Sequence, residues 1–496
     1  MDTVKDKLFD GCDLDAIFVG GSWQKPSSAE RIEVVNPATE EVFFTVPAAQ
    51  VADVERVVAA ARLAFDKGPW PRMSPAERAP YLLAIAERVR ARQDELAAVW
   101  SRQMGVTQAG ASLFLEMVPD QIADYGRMAN TFQFEEAFRD TGAGAITLLT
   151  HEPVGVVAAV IPWNAPMTQI AFKAAPALLA GCCVILKASP EAPGEAYIMA
   201  SICKEVGLPD GVFNVITADR DVSEMLVRHP GVDKVSFTGS SAVGKRIASI
   251  CGERVARYTL ELGGKSAAII CDDFDIDQAA DIIAGAAPLL TGQVCASLTR
   301  LLVNERQHDR FVEALGTRFK DIHVGDPADP AVAMGPLASR AQRERVETYI
   351  AQGIEGGAAL ACGGGRPSHL PRGYFVQPTI FGHVSPSAAI AREEIFGPVV
   401  SVIPFRSEEQ AIEIANDSPY GLNASVFTND VEKAYRTARQ LRSGTVGQNG
   451  FKLDFKVAFG GFKESGVGRE CGTEGLRAYL EPKTIILTDV PGHHRT

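Results

Sequence analysis

The stretch VGVVAAVIPWNAPMTQIAFKAAPALLAGCCVILKASPE, residues 154–191, decides the fold. VGVVAAVI is a short, continuously apolar run rich in Val, the pattern of a strand buried on both faces. Residues from about Met167 to Ala180 have the length and composition of a helix, and CCVILKA returns to a buried strand. Strand, helix and strand in that order describe a right-handed crossover between neighbouring strands of a parallel sheet. Neither apolar stretch spans a bilayer, because each is too short and is bounded by Pro, Gly or Lys.

The alternation continues downstream. EAYIMASICKEVG reads as a helix stopped by Gly207 and Pro209, VFNVITA as a strand, DVSEMLVRH as a helix and KVSFTG as a strand. A sheet of this kind carries ligands at the carboxyl ends of its strands. A second α/β series begins near Lys265, with SAAIIC, LLVNE and VVSVIPF as strands and DIDQAADIIAG, HDRFVEALGTRF and EEQAIEIAN as helices. GGAALACGGGRP, from Gly356, reads as a flexible surface connection. TIILTDV looks like a terminal strand. Upstream, the first 150 residues look mostly helical. VADVERVVAAARLAF and YLLAIAERVRARQDELAAVW repeat apolar residues at helical spacing, Ser74, Pro75 and Glu77 form a capping box, and Pro119 should break the helical stretch around it.

A chain of 496 residues needs two or three packed units. The net charge of -12 argues against nucleic acid or an anionic membrane as a partner. No apolar leader opens the chain, so a cytoplasmic location is expected. Nine cysteines, an odd number, match no zinc or CxxC spacing, which points to reduced thiols and to no metal centre.

Four segments carry chemistry. FTGSSAVGK follows an apolar strand and enters a helix; Gly239 permits an unusual turn, Ser240 faces the helix entrance, and Gly244 lets the helix approach the sheet. The GxGxxG fingerprint is absent, so alone this is weak support for a dinucleotide. Lys187 ends a strand where a sheet ligand would lie. GQVCASLTR places Cys295 in a loop before a strand, where a thiolate can attack a carbonyl carbon. The resulting oxyanion needs donors, and the Cys295 N–H and the side chain of Asn164, in IPWNAP, are candidates. Glu261, in ELGGKS, stands at the junction of the two series, where a low dielectric would raise its pKa and suit it to activate water.

Together these segments resemble the aldehyde dehydrogenase superfamily. IPWNAP, KASPE, FTGSSAVG, LELGGKS, GQVCA, EEIFGPV and FGGFKESGVGRE stand in the family's order over nearly the whole chain. The resemblance implies an α/β fold with two Rossmann-like parallel-sheet domains and a small β oligomerisation extension. Residues 1–130 and 152–262 would bind the dinucleotide, 263–478 would form the catalytic domain, and 131–151 with 479–496 would make a homodimer or homotetramer. Cys295 is implied as nucleophile, Glu261 as general base and Asn164 as oxyanion donor. The implied cofactor contacts are Ile161, Pro162, Trp163, Lys187, Ser189, Phe237, Gly239, Ser240, Gly244, Leu262, Glu394 and Phe396. The implied reaction takes an aldehyde through a thiohemiacetal to a thioester, with NAD or NADP reduced, and water releases the acid. Family members that pass the acyl group to coenzyme A typically lack the Glu at position 261.

Some positions depart from the family pattern. Pro190 stands where an acid commonly holds the adenosine ribose, with Glu191 next, so the resemblance favours NAD without excluding NADP. Thr217 and Asp219 replace usual glycines, and Pro288 and Ser297 flank the thiol loop. Ala165, Met167, Phe172, Val294 and Phe459 are plausible apolar pocket residues, with no Arg or Lys required to clamp a carboxylate, so a medium to bulky apolar aldehyde is expected. A cofactor-independent cysteine acyl hydrolase or esterase is the competing enzyme reading, and a non-catalytic scaffold is the third.

Overall fold

The computed structural model describes residues 8–139 and 141–494. Residues 154–191 form the strand Val156–Val160, the helix Pro166–Ala180 and the strand Cys183–Ala188, with the two strands parallel. They lie in the middle of an eight-stranded sheet. Its five parallel strands run, side by side, Arg257–Glu261, Lys234–Thr238, Val156–Val160, Cys183–Ala188 and Phe213–Thr217. Both edges are antiparallel: Ile17–Val19 and Ser22–Gln24 close one, and Gly466–Val467 closes the other against Arg257–Glu261. The central strand Val156–Val160 is buried along its whole length, because helices cover both faces of the sheet.

The second series forms a seven-stranded sheet in the order Ala359–Cys362, Thr379–Gly382, Val399–Phe405, Leu298–Asn304, Ser266–Ile270, Asn423–Phe427 and Thr445–Gln448. All neighbours are parallel except the first pair. Separate apolar clusters pack its two faces, one around Leu302, Phe381 and Val426, the other around Leu301, Phe311 and Phe427. A third, antiparallel sheet joins Leu480–Leu487 to Ile146–Pro153 and then Glu135–Phe138. Gly466–Val467 falls inside the interval expected for the catalytic unit yet pairs in the first sheet, so the chain crosses between the two units more than once.

Three expectations need correction. The first 150 residues are not mostly helical up to their start: four strands lie between Ile17 and Pro47. Ile17–Val19 and Ser22–Gln24 form a hairpin on Gly20 and Gly21, whose φ of 59° and 79° suit a two-residue turn that only glycine-like residues favour. The connection from Gly356 is not wholly flexible, since Ala359–Cys362 pairs on the sheet edge. The long helical repeat divides into Pro75–Ala91 and Gln93–Met104, with Arg92 outside helical geometry and paired with Glu95 at 2.7 Å. The Ser74–Glu77 capping box forms as expected, and the helical stretch near Pro119 breaks just before it, with Pro119 in the first turn of Val118–Met128.

Candidate active site

Strand order locates the crevice. From Val156–Val160 the chain builds outward through Cys183–Ala188 and Phe213–Thr217, then crosses back to Lys234–Thr238 on the other side. The segments that leave Val160 and Thr238 therefore diverge, and a crevice opens between them. Asn164 lies in the first segment. The second enters the helix Ser241–Glu253, whose N-cap is Ser240, with its Oγ accepting from the Val243 N–H at 3.4 Å. Gly239 does not use a left-handed backbone. A Cβ there would lie 2.5 Å from the Phe237 ring, so close approach is what demands glycine. A Cβ on Gly244 would lie 2.4 Å from the Leu262 side chain, which explains how the helix seats against the sheet.

Two cavities flank this helix start. One, of about 450 Å³, is walled by Val227, Phe237, Val243, Ile247 and Ile250, with Lys187 among its lining residues. Burial lowers Lys187 to about 8, opposed by the nearby Glu191 and Asp219 carboxylates. Ser189 donates its hydroxyl to Glu191, and Asp219 caps the helix Arg220–Arg228, accepting from the Val222 N–H at 3.0 Å. The other cavity, of about 300 Å³, is lined by Pro162, Trp163, Asn164, Gly239, Ser240, Leu262, Cys295, Glu394 and Phe396. Trp163 and Phe396 meet edge to face with centroids 5.4 Å apart.

The two glycines of ELGGKS explain how the thiol loop docks. A Cβ on Gly264 would lie 2.3 Å from the Cys295 carbonyl oxygen, and one on Gly263 would lie 2.4 Å from the Glu394 carboxylate. The Gly264 N–H donates to Glu394 at 3.0 Å. The turn before the thiol is left-handed at Leu290, Thr291 and Gly292, with φ of 45°, 56° and 71°. Gln293 is wholly buried behind it, and the Asn164 Nδ2 donates to the Gln293 carbonyl at 3.0 Å. Cys295 itself is half-buried. Burial pushes its thiol up to about 12, with Glu394 and Glu261 adding to the effect and the N–H groups of Ala296 and Cys295 opposing it.

Glu261 ends the strand Arg257–Glu261 and is only 3% exposed, with both carboxylate oxygens buried and unpartnered. Burial raises its pKa well above the ordinary value; Glu470 adds to this, while Lys173 and Arg469 oppose it. Lys173, also fully buried, donates to Glu470 and, at 2.7 Å, to Thr238. A carboxyl group held this way is a stronger base than a solvated one once it loses its proton.

An apolar cluster surrounds the thiol. Phe172, Ala296, Leu422, Phe459 and Cys471 form it, with Val294, Cys295, Phe451, Leu453 and Phe455 packed against them. The rings of Phe172 and Phe455 lie 4.8 Å apart, and those of Phe455 and Phe459 lie 5.4 Å apart. The structure thus joins Phe172, Val294 and Phe459 around Cys295. Met167 is instead buried in the core of the first sheet; Ala165 packs against that core, as Val294 also does. Sequence reasoning missed Phe451, Leu453 and Phe455, although FKLDF alternates apolar and charged residues. It also missed Gln342 and Arg345. These extend from the helix Arg340–Glu355 into the cavity, where Gln342 donates to the Phe396 carbonyl at 2.6 Å and Arg345 donates to that of Glu394.

The family model described as the aldehyde dehydrogenase family matches residues 23–485. A geranial dehydrogenase of Castellaniella defragrans is 43% identical over 476 residues, covering 96% of this chain and 99% of that protein. An aldehyde dehydrogenase of Mycobacterium tuberculosis, solved with NAD+, superimposes with a TM-score of 0.93 at 42% identity, covering 96% of this chain and 99% of that one. Aldehyde dehydrogenase C of Pseudomonas syringae, solved with NAD+ and octanal, gives 0.92 at 37% identity, covering 96% and 98%. Sequence, fold and the match across nearly the full length agree: the chain belongs to the aldehyde dehydrogenase family.

Proposed function

We propose that the chain oxidises an apolar aldehyde to the free carboxylic acid through a covalent intermediate on Cys295, with NAD preferred to NADP as hydride acceptor. The observation that carries this reading is a single cavity lined by Cys295 and Asn164 together with Gly239, Ser240, Glu394 and Phe396. A dinucleotide fits the residues present. The helix start at Ser240 suits a pyrophosphate, the apolar slot between Val243, Ile247 and Val227 suits an adenine ring, and Glu394 suits a ribose. Glu191 and Asp219 put negative charge near Lys187, which favours a free ribose hydroxyl over a 2′-phosphate.

In this reading Cys295 Sγ adds to the aldehyde carbon and gives up its proton to solvent. The side-chain amide of Asn164 and the Cys295 N–H hold the oxyanion of the resulting thiohemiacetal. A nicotinamide held by Trp163, Glu394 and Phe396 would supply the hydride acceptor; as the oxyanion collapses, the former aldehyde carbon loses its hydride and is left as the thioester on Cys295. Glu261 then takes a proton from water, the water oxygen attacks the thioester carbon, and the acid leaves as the thiol is restored. Aldehyde, NAD+ and water become acid, NADH and a proton. The Phe-rich cluster supports a medium to bulky apolar substrate, as do the geranial and octanal associated with two relatives.

The test is growth of absorbance at 340 nm on adding NAD with acetaldehyde, benzaldehyde or a long-chain aldehyde. A bulky aldehyde should be preferred, and a strong preference for acetaldehyde would sink the substrate reading. A cofactor-independent hydrolase would cleave an activated ester with no 340 nm signal from any aldehyde. We also propose a cytoplasmic homodimer or homotetramer. Among the described residues no helix is long and apolar enough to cross a membrane. Supporting the assembly, Leu480–Leu487 lies at the edge of its small sheet with Ile486 half exposed.

A further inference from the structure

Gln293 uses every polar atom it has except one amide hydrogen. Its side-chain Nε2 donates to the Leu290 carbonyl at 3.0 Å, and its Oε1 accepts from the Ala338 N–H at 3.0 Å. Its own backbone N–H also donates to Leu290, at 3.0 Å. Its carbonyl accepts from Asn164 Nδ2. The Leu290 carbonyl thus receives two bonds from one residue, across a turn whose Leu290 and Thr291 stand in a backbone region that L side chains disfavour. The Thr291 N–H also holds the turn, donating to the Pro288 carbonyl at 2.9 Å, as does its hydroxyl, donating to the Gly335 carbonyl at 3.1 Å. The two bonds from Gln293 add to these against the tendency of left-handed residues to relax to extended or right-handed backbone.

The Asn164 amide is planar and has two N–H groups. One is committed to Gln293, so the direction of the other is fixed by that bond. The Asn164 backbone is pinned independently, its carbonyl accepting from Trp100 Nε1 at 3.0 Å. We infer that Gln293 is a positioning residue for the reaction: its side chain locks the left-handed turn, and the turn presents the carbonyl that aims the Asn164 amide at the reacting oxygen. This rests on the covalent reading of Cys295 given above. Through Ala338, two residues before the helix Arg340–Glu355, the same residue ties the oxyanion donor to the element whose Gln342 and Arg345 hold the Glu394–Phe396 loop.

Two reactions of Cys295 separate aim from mere integrity. Acylation by p-nitrophenyl acetate forms a carbon–sulfur bond, builds an oxyanion and expels p-nitrophenolate. Alkylation by iodoacetamide forms a carbon–sulfur bond as iodide leaves and builds no oxyanion. Neither needs a dinucleotide. Gln293→Met, which keeps the length but makes no hydrogen bond, should slow acylation about tenfold to a hundredfold and leave alkylation within about twofold. In an Asn164→Ala background the same change should cost no more than about a further twofold, since the donor it aims is gone. Equal loss of acylation and alkylation, or additive losses in the double variant, would overturn the inference. Gln293→Glu gives an independent reading that tolerates a poorly folding Met variant. Its protonated side chain can donate to Leu290 and its ionised form cannot. Acylation relative to wild type should fall about tenfold from pH 6 to pH 9, and a ratio unchanged with pH would overturn it. An intact protein that p-nitrophenyl acetate does not acylate would overturn the covalent reading and this inference together.

Discussion

The two large sheets offer opposite ends to the cleft. The first does so with the carboxyl ends of its strands: Asn164 follows Val160, Lys187 lies at the end of Cys183–Ala188, Gly239 follows Thr238 and Glu261 is the last residue of its strand. The second does so with its amino ends: Gly264 and Lys265 precede Ser266, Cys295 precedes Leu298 and Phe396 precedes Val399. Its own carboxyl edge is closed by hydrogen bonds instead. Asp273 accepts from the Thr428 hydroxyl at 2.6 Å and the Asn429 N–H at 2.9 Å, and Asp272 accepts from Asn304 at 3.2 Å. The rule that ligands gather at carboxyl ends thus locates half of the site. Entering a strand has its own use, since the Cys295 and Ala296 N–H groups face sulfur rather than a neighbouring strand.

Substitutions on the three edges can break that contrast. Cys295→Ala, on the amino edge, should cut aldehyde-dependent NADH formation by about 10⁴-fold or more while NAD affinity stays within about twofold. Loss of NAD binding as well would mean the two edges are not separable. Glu261→Gln, on the carboxyl edge, should leave one rapid equivalent of NADH and slow steady turnover about a hundredfold to a thousandfold. Because burial raises the Glu261 pKa, the base form grows as pH increases. Wild-type steady turnover should therefore keep rising with pH above the ordinary carboxylate range, and that dependence should be lost in the Gln variant.

Gly264→Ala probes the joint between the edges. A Cβ 2.3 Å from the Cys295 carbonyl must displace the thiol loop, so kcat should fall about tenfold to a hundredfold. Lys187→Met should weaken NAD binding about tenfold, measured by titration, with kcat at saturation unchanged. Asp273→Asn, on the closed edge, should leave kcat/KM within about twofold and lower Tm by a few degrees. Burial opposes ionisation of Asp273, yet Thr428, Asn429 and Lys433 hold its pKa below the ordinary value. The stability it contributes is present above the unfolded pKa and fades as pH falls through the folded one. The Tm difference should shrink in acid, and a loss of activity instead would reopen the carboxyl edge of the second sheet as a functional surface.

Legibility in the sequence follows how local the cause is. Buried strands, capped helices and the glycine turns at 239 and 263–264 are written in short stretches, and so are Cys295, Glu261 and Asn164. Lys173, Gln342, Arg345 and Glu470 look like ordinary polar helix or loop residues until the chain folds. Lys173 sits mid-helix with no local sign that residue 470 will reach it. Gln293 stands beside the thiol in plain view, but its partner Ala338 lies 45 residues away. Met167 shows the converse error: its place in sequence suggested the pocket, yet helix rotation turns it into the core while Phe172 on the same helix joins the pocket cluster.

The strand Gly466–Val467 comes late in the order in which the protein is synthesised. It pairs with Leu260 and Glu261, and the nearby Glu470 supplies part of the surroundings that raise the proton affinity of Glu261. A ribosome that has translated both large sheets up to Gln448 has still delivered neither residue. The emerging chain can therefore fold its dinucleotide crevice early and yet hold Glu261 beside an open sheet edge. In the proposed reaction, full turnover then waits for the last few dozen residues, and a product truncated before them would lack part of the surroundings of Glu261.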